Sequence, residues 1–500
     1  MNLLKSSFLA LFFLTHFLGM LEAVPPVDQR PFLWSCQNSV LPQAQSLIQL
    51  IETVDQEGLD PQFYSLNRIQ YALKAGEWQL LDQLLTDAFF LLAHDFAYGH
   101  LSHHLTEDSW VQKQGAFDKN SFMIQAVKEN QVSQALKALL PVHSDYVDLK
   151  RSLNYYQSLS KKGGWGAISG LYLLTDKSRS AGIAQVKSRL VVTGELSADK
   201  INDPELFDED LKKAIRVFQQ ENGLEADGII GPKTWETLNQ PVTDKIALVR
   251  INLDRWRWLP HELGARYIVV NIAAGSLRVV EDGKTRLMMK VIVGRKTRKT
   301  LLFQSNITGV TINPYWNVPG SIARKDIIKE IRKDSRYLEK KHIQVFSRNY
   351  GEGRLNPYAI NWFSSNLHVY FQQLPGELNA LGKVKFNMDN PYDIYLHDTA
   401  HRELFGQFDY ALSSGCIRLE KPLELLQLLL EKEPEDSQTK ASAALKDEVQ
   451  HVLKFKNPTK VYLMYLTVLP LPQGQQNVFY QDIYDKDKVL LESLSVMQDK

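Results

Sequence analysis

Two hydrophobic periods divide the chain. From about Leu41 to Leu174 apolar positions recur with the helical period. In "AQSLIQLIETVDQEGLDP" the residues Leu47, Ile48, Ile51 and Val54 fall on one stripe, which predicts an amphipathic helix. "WQLLDQLLTDAFFLLAHDFAYG", from Trp78 to Gly99, is apolar on more sides and reads as a buried core helix. "SQALKALLP" and "VDLKRSLNYYQSLSKKGG" add two further helices. From Arg266 the period becomes two. "RYIVVNIAAGSLRVVEDGKTRLMMKVIVGR" predicts three strands, with a tight hairpin at Asp282-Gly283. "TGVTINPYWNVPGSI" continues as strand and loop, Arg324 to Glu339 as a charged helix, and "DIYLHDT" as a short strand that delivers His397. "EKPLELLQLLLEK" is a helix and "TKVYLMYLTVLP" a late strand. Strands with helices inserted and trailing predict α+β or mainly β architecture, not alternating βαβ units.

Between the two regions, "LKKAIRVFQQENGLEADGIIGPKTWETLN" places Leu211, Ala214, Ile215 and Phe218 on a short apolar helix face. Gly223, Asp227-Gly228 and Gly231-Pro232 punctuate a turn, and Pro232 opens the next helix, where its missing N–H costs nothing. Ala214, Phe218, Gln219, Asp227, Gly228, Gly231, Pro232 and Thr234 carry a dense motif. It resembles the fingerprint of the small three-helix peptidoglycan-binding domain. The glycines of such a motif serve backbone geometry, so it reports fold more than affinity.

A chain of 500 residues exceeds one hydrophobic core and predicts several domains. The net charge of +1 carries no nucleic-acid signature. "MNLLKSSFLALFFLTHFLGMLEAVPPV" has an early Lys5, an apolar run from Phe8 to Leu21 and small residues before Pro25-Pro26. This is a secretory signal pattern with cleavage expected after Ala23. The run is short of the roughly 20 residues of a membrane span, and no later stretch is long and apolar enough to span. An uncleaved anchor would also face the body outward. No cysteine stands at the cleavage point, against a lipoprotein. His94, His100, His103 and His104 lack an accompanying Cys or carboxylate pattern and read as solvent-facing rather than metal-binding.

Export bears on the two cysteines, Cys36 and Cys416. An oxidising compartment favours a disulfide. The alternative is that Cys416 stays free because it reacts, while Cys36 is a half-buried small apolar residue. Cys416 sits in "HDTAHRELFGQFDYALSSGCIR", 19 positions after His397. A thiol attacks as the thiolate, and a histidine can take its proton and return it to a leaving amine. The two can meet if "YLHDT" and "SSGC" lie side by side. Gly415 lets the backbone approach the reacting carbon, and the N–H groups of Gly415 and Cys416 are candidate oxyanion donors. On a strand Arg418 would share a face with Cys416 and could bind a carboxylate. A buried structural thiol and a solvated arginine are the plainer readings of the same residues.

The stretch from His397 through Ser413-Ser414-Gly415-Cys416-Ile417-Arg418, with fifteen residues between His397 and Ser413, resembles the signature of the L,D-transpeptidases. "NPYWNVPGSI", "LPGELNALGKVKF" and "IYLHDT" are similar to the large periplasmic branch of that family, which also carries a helical scaffold domain and a peptidoglycan-binding domain. The resemblance implies an α+β multidomain chain. Its parts are a signal peptide over 1–23, an all-α scaffold domain over 24–180 and a three-helix peptidoglycan-binding domain over 181–241. A mainly-β catalytic domain over 246–485 follows, with a capping insertion over about 321–376. It makes Cys416 the nucleophile and His397 the general acid/base, with Ser414, Gly415 and Arg418 toward substrate. What orients His397 is left open among Asp398, Thr399 and a backbone carbonyl. Ser414 stands where the family often has histidine, and Gln372-Gln373 where it has Arg-Gln, which removes a candidate carboxylate contact. Nine Lys/Arg between Arg324 and Arg348 either attract stem-peptide carboxylates or form a solvated face.

The activity implied needs no cofactor or metal. Cys416 attacks the third residue of a peptidoglycan tetrapeptide stem and releases D-Ala, and the thioester passes to an amine of a neighbouring stem. Water as acceptor would make an L,D-carboxypeptidase. A wall-binding protein that has lost activity is the rival reading, against which both Cys416 and His397 are present. The expected location is the periplasm. The expected partners are donor and acceptor stems, with other cell-wall synthesis enzymes as further candidates, and no nucleic acid.

Overall fold

The computed structural model describes residues 32–36, 39–102, 118–169, 175, 177–348, 353–471 and 477–498. The expected signal peptide over 1–23 lies outside them, as do His103 and His104. Packing divides the chain into two compact units, one within 1–97 and 115–140, the other within 98–114 and 141–500.

The first unit is helical. In Pro42–Glu52 the predicted Leu47, Ile48 and Ile51 are buried, and Val54 is buried in the 3-10 turn that follows. The helix Trp78–Tyr98 buries Leu81, Leu85, Phe89, Leu92 and Phe96. Trp34 is fully buried against it, donating from its backbone N to Asp82 (2.8 Å) and from Nε1 to Thr86 (3.0 Å). Beside Trp34, strand β1 (Ser35–Cys36) pairs with β2 (Ser39–Val40). Cys36 is exposed there rather than half-buried, because its side chain alternates with the inward-facing Ser35. Both cysteines are free thiols.

The second unit contains the motif from Ala214 to Thr234. Helices Ala181–Thr193, Glu209–Glu221 and Pro232–Leu238 share a core built on Ile183, Leu190, Leu211, Ile215, Phe218 and Leu238. Gln219 is buried in it, and its amide is a hub. Nε2 donates to Asp227 Oδ1 (2.8 Å), Ile229 O (2.9 Å) and Thr234 Oγ1 (3.1 Å), and Oε1 accepts from Gly228 N (2.8 Å). The polar residues of the motif, Asp227 and Thr234, are therefore spent on satisfying one buried amide.

Eight strands close into a barrel in the order β10-β11-β12-β5-β4-β3-β13-β6. They are β3 (Arg266–Asn271), β4 (Ser276–Glu281), β5 (Lys284–Ile292), β6 (Phe303–Ile312), β10 (Val384–Met388), β11 (Leu396–His397), β12 (Ile417–Leu419) and β13 (His451–Met464). The β4–β5 hairpin turns at Asp282 (φ 48°) and Gly283 (φ 74°), the two left-handed positions of the expected tight turn. Strand β13 begins eight residues before the apolar run that predicts it at Thr459. Its first half pairs with β6 across a register shift between Lys454 and Thr459. That irregularity accommodates Pro458, which cannot donate to a ladder and hides the strand in the sequence.

The segment between β6 and β10 builds a smaller body, with β7 (Trp316–Asn317), β8 (Ile343–Ser347) and β9 (Val369–Gln373) in the order β7-β9-β8. Its own core includes Ile327, Ile331, Leu338, Val345, Trp362 and Phe371. The expected helix from Arg324 to Glu339 is broken. A π-turn at Ala323–Ile327 leads into Ile328–Lys333, and Asp334 leaves helical geometry before Tyr337–Lys340. The Asp334 carboxylate accepts from Arg336 N (3.0 Å), a local turn that competes with the helix. Of the nine basic residues, Lys333 and Lys340 pair with Glu330 and Asp334, and Arg332 donates to Trp362 O (2.8 Å). Gln372 bonds Asn317 (2.9 Å). Buried Gln373 bridges Lys341 O and Leu378 O (2.8 Å each), so both glutamines serve this sheet.

Candidate active site

On three neighbouring barrel strands the side chains alternate between two faces. Val384 and Phe386 of β10, Leu396 of β11, and Ile417 and Leu419 of β12 are fully buried. Their alternates occupy the other face. There the register sets Lys385 opposite His397, and His397 opposite Arg418. Ile417 N donates to Tyr395 O (3.0 Å), which extends the parallel register and brings Tyr395 beside Cys416. Lys385, Tyr395, His397, Cys416 and Arg418 thus share one face of the barrel wall, although they span 34 positions of sequence.

The turn that carries Cys416 is fixed from several sides. Ser413 N donates to Val293 O (2.8 Å), and Arg295 N to Ser413 O (3.0 Å). Ser413 Oγ donates to Cys416 O (2.6 Å) and accepts from Gly415 N (3.1 Å). Thr300 Oγ1 donates to Gly415 O (2.7 Å). Gly415 has φ +122°, a conformation that side-chain-bearing residues rarely adopt. The Gly415 N–H is therefore engaged, and the Cys416 N–H is the donor without a partner among the described residues. Ser414 is turned aside: its Oγ accepts from Arg298 Nη1 (2.8 Å). The same guanidinium grips Asp326 of the π-turn with both of its Nη atoms, tying the insertion to this turn.

His397 is buried. Its Nδ1 lies 2.5 Å from the backbone oxygen of Asp398. A carbonyl only accepts, so Nδ1 carries the proton and Nε2 is left as a base. Of the three alternatives for the orienting group, the structure holds the backbone carbonyl. The Asp398 side chain secures that carbonyl from behind: Oδ1 accepts from Thr399 N (2.7 Å) and Arg402 Nη2 (2.6 Å), and Oδ2 from Lys383 N (2.8 Å). Burial, and then the Arg418 and Lys385 charges, push the imidazole down to about 3, against the Asp398 carbonyl. Burial likewise raises the Cys416 thiol above its ordinary value, although Tyr395 and the Lys385 charge pull the other way. Both partners are neutral at rest. The thiol donates to Asp393 O (3.6 Å), and no hydrogen bond joins it to His397. Catalytic contacts in free enzymes are often loose and tighten when substrate binds.

Asp398 can sit so close to β10 because Gly382 leaves room. A Cβ there would stand 2.4 Å from Asp398 Cγ and Oδ2, at φ +58°. Gly382→Ala is expected to displace the carboxylate and to destabilise the fold by about 2 kcal/mol from the backbone strain and the broken contacts. A urea midpoint equal to that of the native chain would refute this.

The sequence signals Cys416, His397, Gly415, Ser414 and Arg418. Ser414 is engaged with Arg298, and Gly415 shapes the turn, while His397, Cys416 and Arg418 share a face. Lys385, Tyr395, Arg298 and Asp326 escape sequence reasoning. Lys385 is legible as a polar alternate in "VKF", but only the β10–β11 register puts it beside His397.

Residues 265–440 match the family described as "L,D-transpeptidase catalytic domain", residues 28–153 the "Scaffold domain" and residues 179–238 the "Putative peptidoglycan binding domain". The chain is 34% identical over 249 residues to a Haemophilus influenzae protein named "Putative L,D-transpeptidase", covering 49% of each. It is 28% identical over 131 residues to the N-acetylmuramoyl-L-alanine amidase CwlM of Mycobacterium tuberculosis, covering 25% of this chain and 30% of that one. The chain thus spans half or less of the curated relatives it matches. Among solved structures, an L,D-transpeptidase from Xylanimonas cellulosilytica aligns with 14% identity, TM-score 0.18, over 59% of this chain and 98% of that one. The Ldtfm-avibactam carbamoyl enzyme aligns with 9% identity, TM-score 0.21, over 63% and 96%.

Proposed function

We propose that the protein is a cysteine-dependent L,D-transpeptidase acting on peptidoglycan stem peptides in the cell envelope, a reading supported by the match of residues 265–440 to the L,D-transpeptidase catalytic domain. The observation that carries this reading is the common face of Cys416 and a buried, neutral His397 with Nε2 free to accept a proton. As the thiol attacks the carbonyl of the third stem residue, its proton passes to Nε2 and the C–S bond forms. The tetrahedral oxyanion meets the Cys416 N–H. Nε2–H then protonates the leaving amine, the C–N bond breaks and D-Ala departs. The thioester stores the activation, so a stem amine completes the transfer with no cofactor. The segment 179–238 supports attachment to the same polymer.

Two acceptors compete for one thioester, and the geometry of the donor side serves both. The protein is expected to convert paired tetrapeptide stems into a cross-linked dimer with stoichiometric release of D-Ala, read by mass spectrometry of the products. Release of D-Ala with tripeptide as the sole product would replace transpeptidase with L,D-carboxypeptidase. No release from a folded protein would leave a wall-binding protein.

A further inference from the structure

We propose that Lys385 binds the free α-carboxylate of the departing residue, and so selects donor stems that end at that residue. The proposal rests on the acyl-transfer reading above and deepens it. Three neighbouring strands set an order across the site: Cys416 at β12, His397 on β11, Lys385 on β10. Adjacent strands are about 4.8 Å apart. The scissile bond must follow that order, because the acyl carbon meets sulfur and the leaving nitrogen meets Nε2 of His397. The α-carboxylate of the leaving residue lies two bonds beyond that nitrogen. The next cation across the strands is Lys385, whose ammonium leans over the Tyr395 ring beside Cys416.

The state of Lys385 fits a waiting counter-ion site. Lys385 is half-buried, and its ammonium lies 4.2 Å from the centroid of the Tyr395 ring and forms no hydrogen bond or ion pair among the described residues. Burial pushes the Lys385 ammonium below its ordinary value, and the groups that act against this are Cys416 and then the carboxylate of Asp393, which is exposed and does not reach Lys385 as an ion pair. Arg418 is likewise without an ion-pair partner among the described residues, but it stands on the strand that continues from Cys416, on the far side of His397. That position suits a carboxylate on the acyl part retained by the enzyme. The two cations therefore divide the substrate, one for the part that stays and one for the part that leaves.

The test compares two tetrapeptide donors that differ only at the terminal carboxyl, free acid against amide, in the full chain and in Lys385→Met and Lys385→Arg. The native protein is expected to prefer the acid. Lys385→Met should lower kcat/KM for the acid about 10–100-fold more than for the amide, the scale of a lost charged hydrogen bond, with the excess mainly in KM. Lys385→Arg should restore most of the preference. An equal fall for both donors would overturn the assignment and leave the acyl-transfer reading standing. A second measurement does not depend on turnover: the rate of Cys416 alkylation by iodoacetate relative to neutral iodoacetamide. This ratio should fall in Lys385→Met; an unchanged ratio would overturn the carboxylate site even if no stem is processed.

Discussion

Cys416→Ala is expected to abolish acylation outright, while Cys36→Ala leaves it complete. The measurement is intact-protein mass after incubation with a carbapenem, which the family resemblance presents as a mimic of the donor carbonyl. On the shared barrel face Cys416 is the thiol, beside Lys385, Tyr395, His397 and Arg418. Cys36 lies exposed on β1 in the other unit. Cys416→Ser should be nearly as inert, because a hydroxyl is far less acidic than a thiol and the buried imidazole is a weak base. A full adduct on a folded Cys416→Ala protein would move the active site elsewhere.

His397→Gln should slow acylation about 10²–10⁴-fold, the usual contribution of a positioned general base. Part of the loss should return at high pH, where the thiolate forms unaided. The same residue sets an acid signature. An imidazole at its ordinary value near 6.5 would cost the native enzyme about 30-fold in rate at pH 5. With His397 held down to about 3, acylation at pH 5 should stay close to its value at pH 7. Stability carries the opposite mark. The unfolded chain protonates this histidine below about 6.5 and the folded protein only near 3, so the unfolded state binds more protons across that window. Stability conferred by the neutral imidazole is thus full at pH 7 and is lost as the pH falls, by about 3 kcal/mol at pH 4. Urea unfolding at pH 7 and pH 4 should show a smaller acid loss for His397→Gln than for the native chain. Equal losses would mean that His397 titrates normally.

Much of this protein is legible in its residues because the signals are local. Helical stripes such as Leu47, Ile48 and Ile51 follow the period of the backbone itself. The turn at Asp282-Gly283 follows from which residues tolerate left-handed backbone. The proposed nucleophile and base are legible because a thiol beside glycine follows a histidine at a spacing that resembles a known signature. Reading fails where a competing interaction outweighs local preference. Asp334 breaks an otherwise helical run by capping its own turn, and Pro458 conceals a strand that survives through an irregularity in its pairing with β6.

The site's electrostatics belong to the tertiary structure alone. Lys385, His397 and Arg418 are 12 and 21 residues apart in sequence, and only the register of three strands makes them a row. Whether that imidazole is charged depends on its burial between two cations. The choice of the Asp398 carbonyl as its anchor depends on Gly382, which lets the carboxylate lock the turn. The sequence determined which residues could react and which elements would carry them, since backbone preference and hydrophobic period act over a few residues. Strand register and burial decided their protonation and their neighbours, because charge and desolvation act through space between segments that the chain brings together only when folded.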